Sequence, residues 1–315
     1  MQPDIICLGE PMLEFNQQPD GRYLAGHGGD TSNTAIAAAR QGARVGYLTH
    51  LGADAFGDSF MALWAAEGVD ASHVVRRRDA HTGIYFVTHG PEGHVFSYLR
   101  AGSAASRMTA ADIPADYIAG ARILHVSGIS QAISDSAADA VFRAIEIARA
   151  AGTKVSYDTN LRLKLWPLPR ARAIIHAAMR DCDIALPGRD DAEQLTGFSD
   201  PDRIADFYLE LGAAIVALTL GADGTLVATP AERRRVPARR VQPVDATAAG
   251  DTFDGAFLAE LVAGRDPFAA AEYANAAAAL STQGYGAVAP MPRREAVQAF
   301  LAGDGGGGGR SGEAG

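Results

Sequence analysis

The chain has 315 residues, enough for one or two domains with a sizeable core. Its 28 Lys+Arg against 37 Asp+Glu leave a net charge of −9, which argues against gripping nucleic acid or an anionic membrane. No apolar run approaches the ~20 residues a membrane helix needs.

The lysines at 154 and 164 neither follow a glycine nor precede Ser or Thr, so a Walker A loop is absent. The eight histidines include no HExxH and no pair close to a cysteine, so zinc has no support. Met1-Gln2-Pro3-Asp4 carries no basic run, and no signal peptide is expected. Cys7 and Cys182 sit among apolar residues and read as buried thiols of a reducing cytoplasm.

In chain order, residues 5–9 read as a buried strand ending in glycine. Residues 32–41 read as a helix, with Thr31 or Ser32 as N-cap and Gly42 as its stop. A strand at 45–48, a helix at 56–67 and Gly68 repeat the beat. Strands follow at 123–126, 154–157, 184–186 and 215–220. Helices are expected at 136–151, 171–179, 204–211, 253–262 and 268–282. Such alternation predicts an α/β fold: a three-layer, Rossmann-like core with a mostly parallel sheet between helices.

Two segments break the rhythm. Residues 13–26 and 83–100 are β-like and carry turn signals at Gln18-Pro19-Asp20-Gly21 and Gly90-Pro91-Glu92-Gly93. They predict a small separate sheet, spanning about 12–27 and 82–104, that covers a site as a lid. Ile84, Phe86 and Phe96 are expected to share its apolar face. Residues 1–302 are thus expected to form a single domain, and the glycine-rich 303–315 a flexible tail. Arg76-Arg77-Arg78 and Arg233-Arg234-Arg235 read as solvated turns.

The strongest chemical signal is Asp245-Ala246-Thr247-Ala248-Ala249-Gly250-Asp251-Thr252. Small residues let backbone amides approach a ligand, and the helix that follows adds unpaired N–H groups and a positive dipole end. That suits an anion gaining charge during reaction, stabilised by Ala248, Ala249 and Gly250. Asp251 would be repelled by a bound phosphate and makes sense as a base for a substrate hydroxyl. A lone Gly-Asp would read as an ordinary N-cap.

Context decides between these readings. The segment resembles the second signature of the ribokinase-like (PfkB) carbohydrate kinases, with Ala246 as one departure. Gly28-Gly29-Asp30-Thr31-Ser32-Asn33 resembles that family's GGxxxN element, which implies that Gly28, Gly29 and Asn33 hold sugar hydroxyls. The resemblance runs from about residue 5 to 301 and implies a ribokinase-like fold, ATP as phosphoryl donor, Mg2+ and a monovalent cation such as K+.

Within the family the opening Gly9-Glu10-Pro11-Met12-Leu13-Glu14-Phe15 is similar to 2-keto-3-deoxygluconate kinases. Tyr98-Leu99-Arg100 resembles their Tyr-x-Arg strand, which implies that Tyr98 and Arg100 meet a substrate carboxylate. Asp158-Thr159-Asn160-Leu161-Arg162 resembles their Asp-x-Asn-x-Arg, placing Asn160 and Arg162 at phosphates and substrate. The alternative makes Arg100 and Arg162 solvated surface residues. By resemblance Thr219, Gly221 and Gly224 line ATP, although a plain hairpin turn reads equally well there. Asn275 would lie beside adenine, and Gly284-Tyr285-Gly286-Ala287 near adenine and the monovalent cation. The family's Asn-x-x-Glu is degraded to Gly188-Arg189-Asp190-Asp191, leaving Asp191 as a water-mediated Mg2+ contact.

The expectation is therefore an ATP-dependent kinase of a small sugar or sugar acid, foremost 2-keto-3-deoxygluconate to its 6-phosphate. A fructokinase or other ribokinase-like sugar kinase is the alternative, and a non-catalytic sugar sensor the alternative of another class. The protein is expected to be cytoplasmic, bound to neither nucleic acid nor membrane, and a homodimer through the lid.

Overall fold

Ile5, Ile6, Cys7 and Leu8 are all completely buried. In the computed structural model, which describes residues 2–18, 20–90 and 93–303, they form a strand covered on both faces. Ile6 and Leu8 point into one apolar cluster, Ile5 and Cys7 into another, as the two-residue period of a strand requires.

The strands are β1 (Ile5–Leu8), β2 (Met12–Gln17), β3 (Tyr23–Gly28), β4 (Val45–Leu48), β5 (His50–Gly52), β6 (Val75–Arg77) and β7 (Gly83–Gly90). Then come β8 (Gly93–Leu99), β9 (Ile123–Ser127), β10 (Lys154–Asp158), β11 (Ile184–Leu186), β12 (Ile215–Thr219), β13 (Thr225–Ala228) and β14 (Arg233–Val236). The helices are α1 (Asp30–Arg40), α2 (Ala55–Glu67), α3 (Ala115–Ala119), α4 (Gly128–Ala132), α5 (Asp135–Ala151) and α6 (Leu168–Met179). They continue with α7 (Arg189–Thr196), α8 (Pro201–Leu211), α9 (Ala249–Val262), α10 (Pro267–Ser281) and α11 (Arg294–Gly303).

The main sheet has the order β14-β13-β12-β11-β10-β9-β1-β4. It is parallel from β4 through β12, and β13 and β14 are antiparallel additions. Val141 of α5, Ile175 of α6 and Ile204 of α8 fill one side. Ile36 of α1, Trp64 of α2, Phe257 of α9 and Val297 of α11 fill the other. This is the expected three-layer α/β core.

The two irregular segments form a second sheet, ordered β3-β2-β7-β8. Its β2–β7 pairing is parallel and the outer two are antiparallel. The expected turn residues Pro19, Pro91 and Glu92 lie outside the described residues, as does the tail beyond 303.

Four expectations need correction. Helix α1 starts at Asp30, so Thr31 and Ser32 lie inside it; Gly29, at φ 100°, holds the N-cap position. Arg76 and Arg77 belong to β6, which pairs with β5, and Arg76 donates to Gly52 O and to Asp58. Arg233–Arg235 form β14, with Arg233 on Asp202 and Asp206 and Arg234 over the Phe268 ring. Finally, Phe86 pairs with Ser97 while Phe96 pairs with Val87. Phe86 and Phe96 therefore sit on opposite faces of the lid, because register alternates side chains.

Candidate active site

Ligands of open α/β sheets bind beyond the carboxyl ends of the parallel strands. Here β1 runs out into Gly9-Glu10, β10 into Thr159-Asn160, and β12 into Leu220-Gly221. The N-termini of α1 and α9 enter the same region. Gly255 lets these two helices touch: a Cβ there would stand 2.5 Å from Thr34 O and 2.7 Å from Ala38 N. That contact brings Asn33 Nδ2 to donate to Asp251 Oδ2 at 2.8 Å. Asn33 is buried, and its Oδ1 accepts from no described group.

Asp251, in the first turn of α9, is half-buried. Its carboxyl is pushed up to about 7, first by burial and then by the negative charge of Asp30; the Asn33 hydrogen bond and Arg162 oppose the shift. Asp158 is held well above the usual carboxylate range by burial and then by the charges of Asp30, Asp251 and Asp191, and Asp254 by burial and then by Asp158, Asp251 and Asp30. Asp30 Oδ1 accepts from Thr31 N–H at 2.8 Å and Oδ2 from Asn160 Nδ2 at 2.9 Å. Sequence reasoning assigned no role to Asp30, Asp158 or Asp254. The one local signal was Asp254, one helical turn beyond Asp251 on a small-residue helix.

Backbone strain concentrates here as well. Among the described residues, Ala248 (φ 59°) and Asn160 (φ 26°) are the non-glycine residues with positive φ. Ala248 occupies the N-cap position of α9. The expectation that Ala248, Ala249 and Gly250 all offer free amides is corrected, because Ala249 N–H donates to Ala246 O at 3.2 Å. The amides of Ala248, Gly250 and Asp251 find no acceptor among the described residues, and a Cβ on Gly250 would meet nothing within 4 Å. These are three donors at a helix N-terminus. Asp245 shapes the preceding loop by accepting from Thr247 N–H at 2.9 Å and from Gly286 N–H at 2.9 Å.

On the lid side, Gly28 lies against the Tyr85 hydroxyl, 2.8 Å from where its Cβ would be. Tyr85 OH donates to Glu14 Oε2 at 2.5 Å, and the Tyr98 ring lies 5.9 Å from that of Tyr85. Gly29 packs on Glu10, with a Cβ position 2.4 Å from Glu10 O. Arg100 is neither a surface residue nor a free guanidinium. Its Nε donates to Glu10 Oε2 at 2.9 Å, and its Nη2 reaches the same oxygen.

On the other side of Asp251, Arg162 is exposed, donates to Leu161 O, and is close enough to lower the carboxyls of both Asp251 and Asp191. Thr219 bridges to Gly188. Gly221–Asp223 is a one-turn helix linking β12 to antiparallel β13, so the glycine turn is a hairpin connection. Asn275 departs from expectation. Its Oδ1 accepts from Thr225 Oγ1 at 2.8 Å, and its Nδ2 donates to Val236 O and Pro237 O. With its amide so occupied, it clamps α10 to β13 and β14 instead of reading a base. Asp191 accepts Leu161 N–H at 2.8 Å through one oxygen. No three His, Cys, Asp or Glu side chains converge in metal-binding geometry among the described residues.

The family described as pfkB family carbohydrate kinase matches residues 2–294. The chain is 34% identical over 313 residues to 2-dehydro-3-deoxygluconokinase of Bacillus subtilis (strain 168), covering 96% of each. A fructokinase with bound ATP from Xylella fastidiosa superposes with a TM-score of 0.88 at 26% identity, over 96% of this chain and 98% of that one. Fructokinase from Vibrio cholerae O395, in a form with fructose, ADP and calcium ion bound, gives 0.86 at 29% identity, over 95% and 99%.

Proposed function

The chain belongs to the pfkB family of carbohydrate kinases, and from that premise we propose that it phosphorylates 2-keto-3-deoxygluconate on its 6-hydroxyl at the expense of ATP. The Asn33–Asp251 hydrogen bond carries the reading, because it joins the sugar-side motif to the base. Substrate lies between Gly28, Gly29, Asn33 and the lid residues Tyr98 and Arg100. ATP lies over Thr219, Gly221 and Gly224, with Asn160 and Arg162 at its phosphates. Asp251 takes the hydroxyl proton as the new O–P bond forms and ADP leaves. The amides of Ala248, Gly250 and Asp251 receive the charge on the transferring phosphoryl group.

Asp191 keeps one carboxylate oxygen clear of Leu161 N–H, which fits a water-mediated contact to Mg2+. When bound, that ion neutralises phosphate charge. A monovalent cation near residues 284–287 belongs to the same proposal, as does a homodimer formed through the lid. The resemblance to the Bacillus subtilis enzyme supports the sugar acid.

One observation favours a second reading, a neutral ketose: Glu10 already pairs with Arg100, so this guanidinium does not meet substrate as an uncompensated positive charge. An intact Asp251 argues against a sensor without catalysis. ADP release measured with 2-keto-3-deoxygluconate, 2-keto-3-deoxygalactonate, fructose and ribose separates these readings. The sugar acid should give the highest kcat/KM; ADP release with none of them overturns the kinase assignment.

A further inference from the structure

The Glu10 side chain is wholly buried, and its one ion-pair partner among the described residues is Arg100, itself 12% exposed. We propose that Glu10 is a specificity-determining residue that cancels the charge of Arg100 and so limits how strongly the cleft prefers an anionic sugar over a neutral one. The inference rests on the sugar-kinase reading of the cleft.

Both oxygens of Glu10 are committed. Oε2 takes the Nε and Nη2 donors of Arg100, and Oε1 accepts from Ser103 Oγ at 2.6 Å. The surroundings are shaped to this side chain. A Cβ on Gly83 would come within 2.9 Å of Oε1, and a Cβ on Gly29 within 2.4 Å of the Glu10 carbonyl. Glu10 therefore touches the sugar-side motif with its backbone and the root of the lid with its carboxylate. Arg100 leaves β8 beside Tyr98, with its guanidinium carbon 5.7 Å from that ring's centroid.

An arginine carries five N–H donors. Glu10 uses two, and three remain for a hydroxyl or a carboxylate. The opposite charge at hydrogen-bond distance removes most of the longer-range attraction that a lone guanidinium would exert on an anion in a poorly screened site. What remains is directional donation, which serves sugar acids and neutral sugars alike.

The test compares 2-keto-3-deoxygluconate with fructose on the full-length protein and its E10Q, R100Q and E10Q/R100Q variants. The readout is the acid-to-ketose ratio of kcat/KM from ADP release, with the same ratio from calorimetric dissociation constants. Glutamine keeps the shape and an acceptor but removes the charge, so E10Q should raise the ratio at least ~5-fold, largely through KM. In the R100Q background, where Glu10 stands unpaired, the same substitution should raise it by at least as much. Equal losses for both sugars in E10Q, or no recovery of the ratio in E10Q/R100Q relative to R100Q, would overturn the proposal. If E10Q alone shows no cooperative melt, the comparison of E10Q/R100Q with R100Q decides: removing unpaired Glu10 should raise the ratio at least ~5-fold, and an unchanged ratio refutes it. Absence of ADP with every sugar counts against the kinase reading, and the calorimetric ratio still judges Glu10.

Discussion

Asn33 donates to Asp251 across 218 residues of chain, and the 2.8 Å bond joins the first turns of two helices that Gly255 holds in contact. The amide stabilises the charged carboxylate, while burial and Asp30 oppose that charge. The balance leaves the base near neutrality, where a general base is most effective.

The pH dependence follows directly. With the Asp251 carboxyl at about 7, kcat/KM should rise with pH and level off above about 7. Asn33→Leu removes the stabilising bond, so the rising limb should move to higher pH. A profile unchanged by that substitution would separate Asn33 from the base. The same shift has a stability sign. The folded carboxyl binds its proton more tightly than the unfolded one, whose pKa is about 3.9. The folded state is thus favoured most below about 4, and that advantage is lost as pH rises through about 7. Asp251→Asn should flatten this part of the curve of melting temperature against pH.

Gly255→Ala tests the helix contact beneath the site. The new methyl would stand 2.5 Å from Thr34 O and 2.6 Å from Ala37 Cβ, with backbone on the opposing side. Overpacking of this kind costs roughly 1–3 kcal/mol. Denaturant unfolding should show that loss, and because α1 and α9 must separate, activity should fall more than for a comparable core variant elsewhere. A stability loss with unchanged kcat/KM would mean that the site tolerates helix displacement.

The lid presents Val95 and Leu99, each 53% exposed, on the face it shares with Phe86. Phe86 itself is covered, stacking on Phe15 at 5.3 Å. Replacing both Val95 and Leu99 by Ser should convert a lid-mediated dimer into monomers and raise KM for sugar, as read by sedimentation and kinetics. Wild-type protein that sediments as a monomer at micromolar concentration would refute the dimer.

The main architecture was legible because buried parallel strands are short apolar runs between turn residues. Those at 45–48 and 184–186 end where expected. Strands β6 and β14 were hidden by their arginine triplets. Arg76, Arg233 and Arg235 find aspartates on neighbouring helices and so mask a strand as a polar turn. The start of α1 was misplaced because its cap is a glycine without a side-chain hydrogen bond. The motifs pointed to Asn33 and Asp251 separately, but their contact was not readable. Neither was the convergence of Asp30, Asp158 and Asp254 on Asp251, which depends on where several elements end. Arg100 was singled out for a substrate, yet its first partner is Glu10, 90 residues away.

The most direct test of the central claim is ADP release by Asp251→Asn beside the wild type, with saturating ATP and 2-keto-3-deoxygluconate. Asparagine keeps the size and polarity of the side chain and removes its ability to take a proton. Turnover should fall at least ~100-fold while the cooperative melt is retained. Turnover within a few-fold of wild type would show that the Asp251 carboxylate is not the base and would contradict the account.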